Sequence, residues 1–308
     1  MTESKTKVAI AQSCDHPGAK PLPARVCGVD TRTRLEKTLA KRGFEVVGET
    51  EAEIMVPPCR AYAKDEELSV CTDGLARVER QLVLALRKDV DGKVAKYLNR
   101  NISGWVTRMI MGTSIRPNHT TLFTIVLGIA SGFVIALGGE SLGAYWAGVI
   151  GATLLQAQSV LDGVDGELSR LKFQGSKLGE WLDTVSDDLS NLSFFGGATY
   201  VATETWLQTI GTAGIGTFVV MQAILYYLLA TVFKSGNLQV FQWDVGSDEG
   251  LFARIEWMFK RDFFCLLFLV LALVDRLEIA VVIFSVGTII SFATLVLQLA
   301  RGGTAALK

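Results

Sequence analysis

The sequence predicts an α-helical integral membrane domain of six transmembrane helices, preceded by a small cytoplasmic α/β domain. Two observations carry this prediction. Residues 1–118 are polar and charged, whereas residues 119–308 contain long uncharged runs, a division that one soluble domain would not show. Several carboxylates also lie beside those runs, where a charge is costly and usually functional. The net charge of −1 gives no sign of a nucleic-acid partner.

The first 88 residues have the pattern of a small α/β unit. Short apolar runs predict strands over residues 7–11, 44–47 and 54–56. Between them, Asp30 can cap a helix over residues 31–42 that Gly43 ends. A further helix, capped by Thr72 or Asp73, is expected to run through Leu82 and Leu86.

Residues 89–118 predict a basic amphipathic helix at the junction. Apolar side chains recur at helical spacing from Val94 to Ile110, and Lys93, Lys96 and Arg100 lie off that stripe. Such a helix can lie in the membrane interface or pack on the soluble unit, and both can hold. Pro117 then fits the first turn of the next helix.

Residues 119–308 contain the six predicted spans. Four uncharged runs approach or exceed the length that a bilayer requires: residues 121–138, 142–161, 205–233 and 279–300. The run 189–203 becomes long enough if its helix starts near Gly179, which places Asp183 and Asp187 inside a span. The run 263–274 is the shortest, and its helix is expected to begin near Ile255.

The distribution of Lys and Arg orients these spans. If the N-terminus is cytoplasmic, the three outward loops hold a single basic residue, Arg276. The sequence therefore predicts a protein integral to the cell (inner) membrane, with the N-terminal domain and the acidic cluster facing the cytoplasm. The N-terminal residues lack the apolar core of a cleavable signal peptide.

Four carboxylates form two pairs at helical spacing. Asp162 and Asp165 are three residues apart and Asp183 and Asp187 are four apart, so each pair shares a helix face. If these faces oppose one another, four negative charges meet in one pocket, and two divalent cations would balance them. Oxygen ligands favour Mg²⁺, Mn²⁺ or Ca²⁺, and a pair of such ions suits displacement at phosphorus.

Neighbouring residues have simpler interpretations. Asp188 points about 100° away from Asp187 and is expected to be structural or to support the site from outside, and Glu167 is expected to face solvent. Four basic residues could bind a phosphate on an acceptor, although the positive-inside rule explains them equally well: Arg116, Lys172, Lys177 and Lys234. The five cysteines contain no CxxC pair, which favours reduced thiols over a zinc site.

The stretch that holds both pairs resembles the signature of the CDP-alcohol phosphotransferases, D-x-x-D-G-x-x-A-R-x8-G-x-x-x-D-x-x-x-D. Every spacing agrees, and the one departure is Ser169 where the signature has Ala. The eight matching positions are Asp162, Asp165, Gly166, Ser169, Arg170, Gly179, Asp183 and Asp187. The resemblance covers roughly residues 90–300 and extends to the family's six spans and cytoplasmic active site.

The resemblance implies roles for these residues. The four aspartates would ligate two divalent ions, Mg²⁺ or Mn²⁺, and Asp187 would also be the general base that takes the proton of the acceptor hydroxyl. That oxygen would attack the β-phosphorus of a CDP-alcohol, such as CDP-diacylglycerol or CDP-inositol, and CMP would leave. Four residues would border the cytidine diphosphate: Gly166, Ser169, Arg170 and Gly179. The family also implies a homodimer and a place in phospholipid or polar phosphodiester biosynthesis.

The junction LALRKDVDGKVAKYLNRNISGWVTRMI resembles a second feature, the link between the two domains of bifunctional inositol-phosphate cytidylyltransferase/di-inositol-phosphate phosphate synthases. There a nucleotidyltransferase domain precedes the same membrane domain. Residues 1–88 are too few for a complete domain and lack its glycine-rich loop, so they would be a truncated, inactive remnant. The resemblance favours an inositol phosphate acceptor, beside glycerol phosphate or a lipid-linked alcohol.

Two other classes of protein remain as alternatives. An Asp-rich membrane prenyltransferase would carry two acidic motifs far apart, whereas here both pairs lie between residues 162 and 187. A divalent-cation transporter would distribute acids over several spans, and the other apolar runs hold almost none.

Overall fold

The computed structural model describes residues 5–12, 22–64, 66–87, 92–236, 238 and 260–302. The chain divides into two compact units. The smaller comprises Met1–Asp89, Ile102–Pro117 and Gly166–Gly175, and the larger comprises Val90–Asn101, Asn118–Asp165 and Ser176–Lys308. Three helices contribute residues to both units.

The smaller unit is built on a three-stranded parallel sheet of order β4-β1-β5. Its strands are β1 (Lys7–Ile10), β4 (Glu45–Val46) and β5 (Ile54–Val56). Helix α1 (Thr31–Lys41) packs Leu35 and Leu39 against Val8 and Ile10. The predicted strands and the predicted helix are thus confirmed.

The ends of α1 follow the sequence signals. The Asp30 carboxylate accepts a hydrogen bond from the Thr33 N–H at 2.9 Å, which satisfies one of the free donors at a helix N-terminus. Gly43 follows the helix with φ +88°, a conformation that costs glycine little. Both predicted signals are confirmed.

The rest of the N-terminal region differs from the sequence-based expectation in two ways. Two antiparallel hairpins were not predicted: β2 (Arg25–Val26) with β3 (Val29–Asp30), and β6 (Arg60–Ala63) with β7 (Glu66–Ser69). The predicted helix is present as α3 (Leu75–Leu84), which ends before Leu86, and a short helix that was not predicted, α2 (Val70–Asp73), precedes it.

Gly74, with φ +84°, separates these two helices. Gly74 is the N-cap of α3, so the prediction that Thr72 or Asp73 caps this helix is wrong. The Asp73 carboxylate accepts the Ser69 N–H at 2.9 Å instead, so it stabilises the start of α2.

The predicted junction helix consists of a wide turn over Ala95–Asn99 and helix α4 (Arg100–Ile110). Small and polar residues form the buried face of α4, where Ser103 and Thr107 have no exposed surface. The predicted apolar stripe is exposed, with Trp105 56% and Met109 62% accessible.

The larger unit is helical. Its first long helix is α5 (Pro117–Leu137), which confirms the prediction that Pro117 lies in the first turn of a helix. A short helix α6 (Gly139–Leu142) leads into α7 (Ala144–Lys172), and α8 (Lys177–Tyr200) follows. The remaining helices are α9 (Thr205–Leu228), extended by a wide turn to Phe233, then α10 (Arg261–Leu273) and α11 (Leu277–Gly302). The expected start of a helix near Ile255 lies outside the described residues.

Three of these helices are long and apolar enough to cross a membrane: Pro117–Leu137, Thr205–Phe233 and Leu277–Arg301. Five helices contribute to one apolar core, in which the Phe195 ring stacks on Phe284 with centroids 3.7 Å apart. Where α5 and α8 cross, a Cβ on Gly197 would lie 2.3 Å from the Gly132 carbonyl oxygen. Such close backbone approach through small residues is typical of helices packed in a membrane.

Four cysteines lie in the described part of the chain, and all are buried thiols outside any disulfide there: Cys27, Cys59, Cys71 and Cys265. Burial raises the pKa of the Cys27 thiol to about 12, so this side chain stays neutral at physiological pH. Cys14, the remaining cysteine, falls outside the described residues.

Candidate metal centre and active site

Three of the four predicted carboxylates converge. Asp162 and Asp165 lie on α7 and Asp183 lies on α8, and one oxygen from each falls within 4.8 Å of the others. The helix spacing explains this geometry, because residues three apart on α7 share the face that meets α8. Among the described residues, this is the one cluster of such side chains with the geometry of a metal site.

The two helices present these residues for local reasons. Helix α8 begins after Ser176, whose Oγ accepts the Gly179 N–H at 3.0 Å, so Asp183 follows within two turns of a capped N-terminus. Helix α7 continues unbroken through both of its aspartates to Lys172. The prediction that each pair lies on one helix is confirmed.

The chemistry of the donors fits a hard divalent cation. Oδ1 of Asp162 is buried and accepts no hydrogen bond within the described part of the chain. An orphaned carboxylate oxygen is costly unless an ion or a proton satisfies it. Asp162 also lies in the fields of Asp187, Asp183 and Asp165, a concentration of negative charge that a cation would neutralise.

Thr121, which the sequence did not single out, supports the centre from α5. Its Oγ1 donates to Oδ2 of the buried Asp165 at 2.6 Å. This bond fixes one oxygen of that carboxylate. A threonine in the first turns of an apolar helix gives no sequence signal, because it becomes informative only once α5 and α7 are packed.

Asp187 is placed differently from the other three. It stands one turn beyond Asp183 on α8, but its carboxylate contacts Arg261, with Nη1 to Oδ1 at 2.8 Å. Gln158 of α7 lies 3.5 Å from the same oxygen. The geometry therefore groups three aspartates and sets the fourth beside them in an ion pair. A signal for Gln158 was present in the sequence, as a polar residue four positions before Asp162 on a predicted span.

Asp188 has the structural role expected for it. Its side chain is buried, and Oδ1 accepts a hydrogen bond from Gln222 Nε2 at 2.5 Å while Oδ2 accepts one from the Tyr226 hydroxyl. Both partners lie on α9, so this carboxylate joins α8 to α9.

The residues expected to border the donor continue along α7. Gly166 and Ser169 share the face of Asp162 and Asp165 by helical spacing. A Cβ on Gly166 would lie 3.2 Å from Nη1 of Arg170, so the guanidinium folds back along the helix over this glycine. Gly179 lies in the first turn of α8, near its Ser176 cap.

Glu167 does not face solvent, and that prediction is wrong. Its side chain is 3% exposed, and its two oxygens accept hydrogen bonds from Ser103 Oγ at 2.8 Å and Thr107 Oγ1 at 2.6 Å. The hydroxyls of α4 replace the water that the carboxylate loses, so a charged residue can be buried here.

The basic residues considered for phosphate binding differ in their exposure to solvent. Lys172 is buried, and its ammonium donates to the carbonyls of Thr113 at 2.8 Å and Ile115 at 2.7 Å, which makes its role structural. Lys177 and Lys234 are exposed.

The family model for CDP-alcohol phosphatidyltransferase matches residues 114–300, more than half of the chain. The chain belongs to the CDP-alcohol phosphatidyltransferase family. The matched stretch contains the three converging aspartates, Asp187 and the glycines between them.

Curated proteins also match part of this chain. A bifunctional IPC transferase and DIPP synthase of Aquifex aeolicus is 30% identical over 135 residues, which is 44% of this chain and 29% of that relative. Proteins of the same name from Thermococcus kodakarensis and Archaeoglobus fulgidus are 35% identical over 121 residues and 28% identical over 123 residues. These two matches cover 39% and 40% of this chain but 26% and 23% of the relatives.

The matched stretch thus spans about a quarter of each relative's length. The predicted resemblance to the family, and to its members with the DIPP synthase layout, is confirmed.

Proposed function

We propose that the chain is an integral membrane transferase that moves a substituted phosphate from a CDP-alcohol to the hydroxyl of an acceptor alcohol, with release of CMP. The observation that carries this proposal is the convergence of Asp162, Asp165 and Asp183, with an orphaned oxygen, inside a family whose name specifies this donor. Neither alternative class, the prenyltransferase or the transporter, accounts for the family match.

The three clustered aspartates and Asp187 would hold two divalent ions, Mg²⁺ or Mn²⁺. When bound, such ions supply positive charge to the diphosphate oxygens and to the leaving CMP. Gly166 and Ser169, on the next turn of the same helix, would border the cytidine diphosphate, and the Arg170 guanidinium would donate to a phosphate. Gly179 would border the donor from α8.

The proposed step needs one proton acceptor. The acceptor hydroxyl oxygen forms a bond to the β-phosphorus of the donor, and the bond from that phosphorus to the bridging oxygen breaks. CMP leaves with the bonding electrons, and the hydroxyl proton passes to Asp187. A carboxylate near phosphate and metal can serve as this base when it lies within hydrogen-bonding reach of the hydroxyl.

The acceptor and the membrane arrangement belong to the same proposal. We favour an inositol phosphate acceptor, because the curated relatives share the bifunctional name and the junction resembles theirs. The three apolar helices support a membrane protein, and α7, α8 and α10 would complete six spans. The N-terminal unit and the site would face the cytoplasm, with the exposed stripe of α4 in the interface and a homodimer as the assembled form.

The decisive experiment measures CMP release by the purified full-length protein. Mg²⁺ or Mn²⁺ is combined with a panel of CDP-alcohols, including CDP-diacylglycerol and CDP-inositol, and of acceptors, including inositol phosphate and glycerol phosphate. We expect one pair to release CMP at a rate that Asp187→Asn lowers by about 10²-fold or more, the scale of general base catalysis. If no pair exceeds the Asp187→Asn background, the proposed activity is wrong.

The N-terminal unit needs a separate test. We propose that residues 1–88 are a nucleotidyltransferase-like remnant without activity, since a three-stranded sheet with one covering helix is a small part of such a domain. CTP with inositol phosphate is then expected to yield no pyrophosphate. Robust pyrophosphate release by the full chain would overturn this proposal.

A further inference from the structure

A closed ring of polar contacts surrounds the carboxylate of Asp187. Arg261 Nη1 lies 2.8 Å from Oδ1 of Asp187, and Gln158 Nε2 lies 3.5 Å from the same oxygen. Arg261 also donates through Nη2 to Oε1 of Gln158. Each of the three side chains therefore contacts the other two, and they come from three different helices: α7, α8 and α10.

Only one of the two carboxylate oxygens of Asp187 takes part in this ring. Both contacts reach Oδ1, and within the described residues no hydrogen bond engages Oδ2. One oxygen is thus anchored while the other stays available.

Glutamine suits the position on α7 for a chemical reason. Its amide oxygen accepts from Arg261 while its amide nitrogen points to Asp187, so a single neutral side chain serves both charges. A glutamate at this position would repel Asp187, and an apolar residue would leave the guanidinium with one partner fewer. Gln158 is also fully buried, which excludes water as a substitute.

We propose that Gln158 is a positioning residue for Asp187, and that Arg261 and Gln158 together fix the carboxylate so that Oδ2 faces the reaction. The inference rests on the proposed function, because it assumes that Asp187 takes the acceptor proton and ligates a metal. It adds that a neutral residue outside the eight-residue signature sets the orientation of the Asp187 carboxylate. Second-layer hydrogen bonds of this kind commonly determine how well a ligand or base works.

A purely structural role for Gln158 is the competing explanation, and α7 offers a matched control. Gln156 is also a buried glutamine, two residues earlier, but its Nε2 lies 3.3 Å from Oδ1 of Asn99 and it takes no part in the ring. Replacement of either glutamine by methionine keeps the length and approximate volume of the side chain. Only Gln158→Met removes the contact to Asp187.

The test compares Gln158→Met with Gln156→Met in the full-length protein, with two measurements. For CMP release at saturating Mn²⁺ we expect Gln158→Met to lower kcat about 10- to 100-fold while KM for the CDP-alcohol stays within about twofold, because misorientation affects the step and not donor binding. For Mn²⁺ binding, followed by electron paramagnetic resonance, we expect about tenfold weaker affinity. Gln156→Met is expected to change neither value by more than about twofold.

Two outcomes would overturn the inference. In the first, Gln158→Met retains both the kcat and the Mn²⁺ affinity of the unmodified protein. In the second, both variants lose activity and thermal stability equally, which identifies a packing role. If the unmodified protein releases no CMP from any donor, the proposed function fails, but the Mn²⁺ comparison still decides whether Gln158 positions Asp187.

Discussion

At the scale of single residues, two carboxylates five positions apart on α8 have separable roles. Asp188 accepts hydrogen bonds from Gln222 and Tyr226 on α9, whereas Asp183 converges with Asp162 and Asp165. We expect Asp188→Asn to lower the free energy of unfolding by about 1–3 kcal/mol, because the amide cannot accept both bonds. Mn²⁺ affinity should stay unchanged. Thermal unfolding and a Mn²⁺ titration of the purified protein measure the two effects.

Asp183→Asn is the matched control, with the opposite expected pattern. It removes a charge from the cluster, so Mn²⁺ affinity should fall while the unfolding temperature without metal changes little. If Asp188→Asn weakens Mn²⁺ binding as strongly as Asp183→Asn does, the assignment of Asp188 to helix packing is wrong.

How far a residue's role could be predicted depended on the distance of its partners along the chain. Spacing on one helix was enough to bring Asp162 and Asp165 together, because helix geometry is local. Glu167 lies only two residues further along the chain. Its burial nevertheless depends on Ser103 and Thr107, which are 64 and 60 positions away. The contact of Arg261 with Asp187 likewise requires α10 to be placed, which no local pattern specifies.

At the scale of elements, the crossing of α5 and α8 provides a test on two adjacent glycines. A Cβ at position 197 would lie 3.0 Å from the Cα of Gly132 and still closer to its carbonyl oxygen, whereas a Cβ at position 196 meets nothing within 4 Å. We expect Gly197→Ala to destabilise the protein by about 1–3 kcal/mol, since α5 cannot yield without losing other contacts. The midpoint of thermal unfolding in detergent is the measurement.

Gly196→Ala should be neutral or stabilise by up to about 1 kcal/mol, because alanine favours a helix more than glycine does. Equal effects of the two substitutions would show that helix propensity, and not the approach of α5, governs this segment.

Elements with strong local signals were predictable, and those without such signals were not. The Asp30 cap and the Gly43 end of α1 could be inferred because each satisfies backbone groups within a few residues. The strands β6 and β7 carry charged residues where β1 and β5 have apolar runs, so no strand pattern stands out. The cap of α3 was predicted at Thr72 or Asp73 because these residue types favour that position, whereas Gly74 caps the helix without a side-chain hydrogen bond.

At the scale of the whole molecule, the cluster of carboxylates predicts that divalent ions stabilise the fold. A ligand that binds only the folded state adds about 2.7 kcal/mol at 100 times its dissociation constant. We therefore expect Mg²⁺ or Mn²⁺ to raise the unfolding temperature of the intact protein, and Asp162→Asn to abolish most of that rise. Differential scanning fluorimetry with and without metal gives both values.

Glu180→Gln serves as the control, because Glu180 is an exposed acid in the first turn of α8 outside the cluster. It should retain the full metal-dependent rise. A rise that persists in Asp162→Asn would mean that the ions act elsewhere on the molecule.

Helix α7 has a consequence for any attempt to divide this protein. Its last turns, with the Gly175 that follows, form part of the smaller compact unit, where the Leu171 carbonyl accepts from Arg34 and the Phe173 ring lies 4.8 Å from Lys41 Nζ. The eight-residue signature therefore includes residues of both compact units. A truncation just before the first span would remove most of the smaller unit. A chain shortened to its apolar helices would keep the four aspartates of the signature. It would lose Ser103 and Thr107, which donate hydrogen bonds to Glu167 between Gly166 and Arg170. Arg34 and Lys41 of the N-terminal region thus contact the end of α7, the helix that carries two of the clustered aspartates, and the residue that follows it.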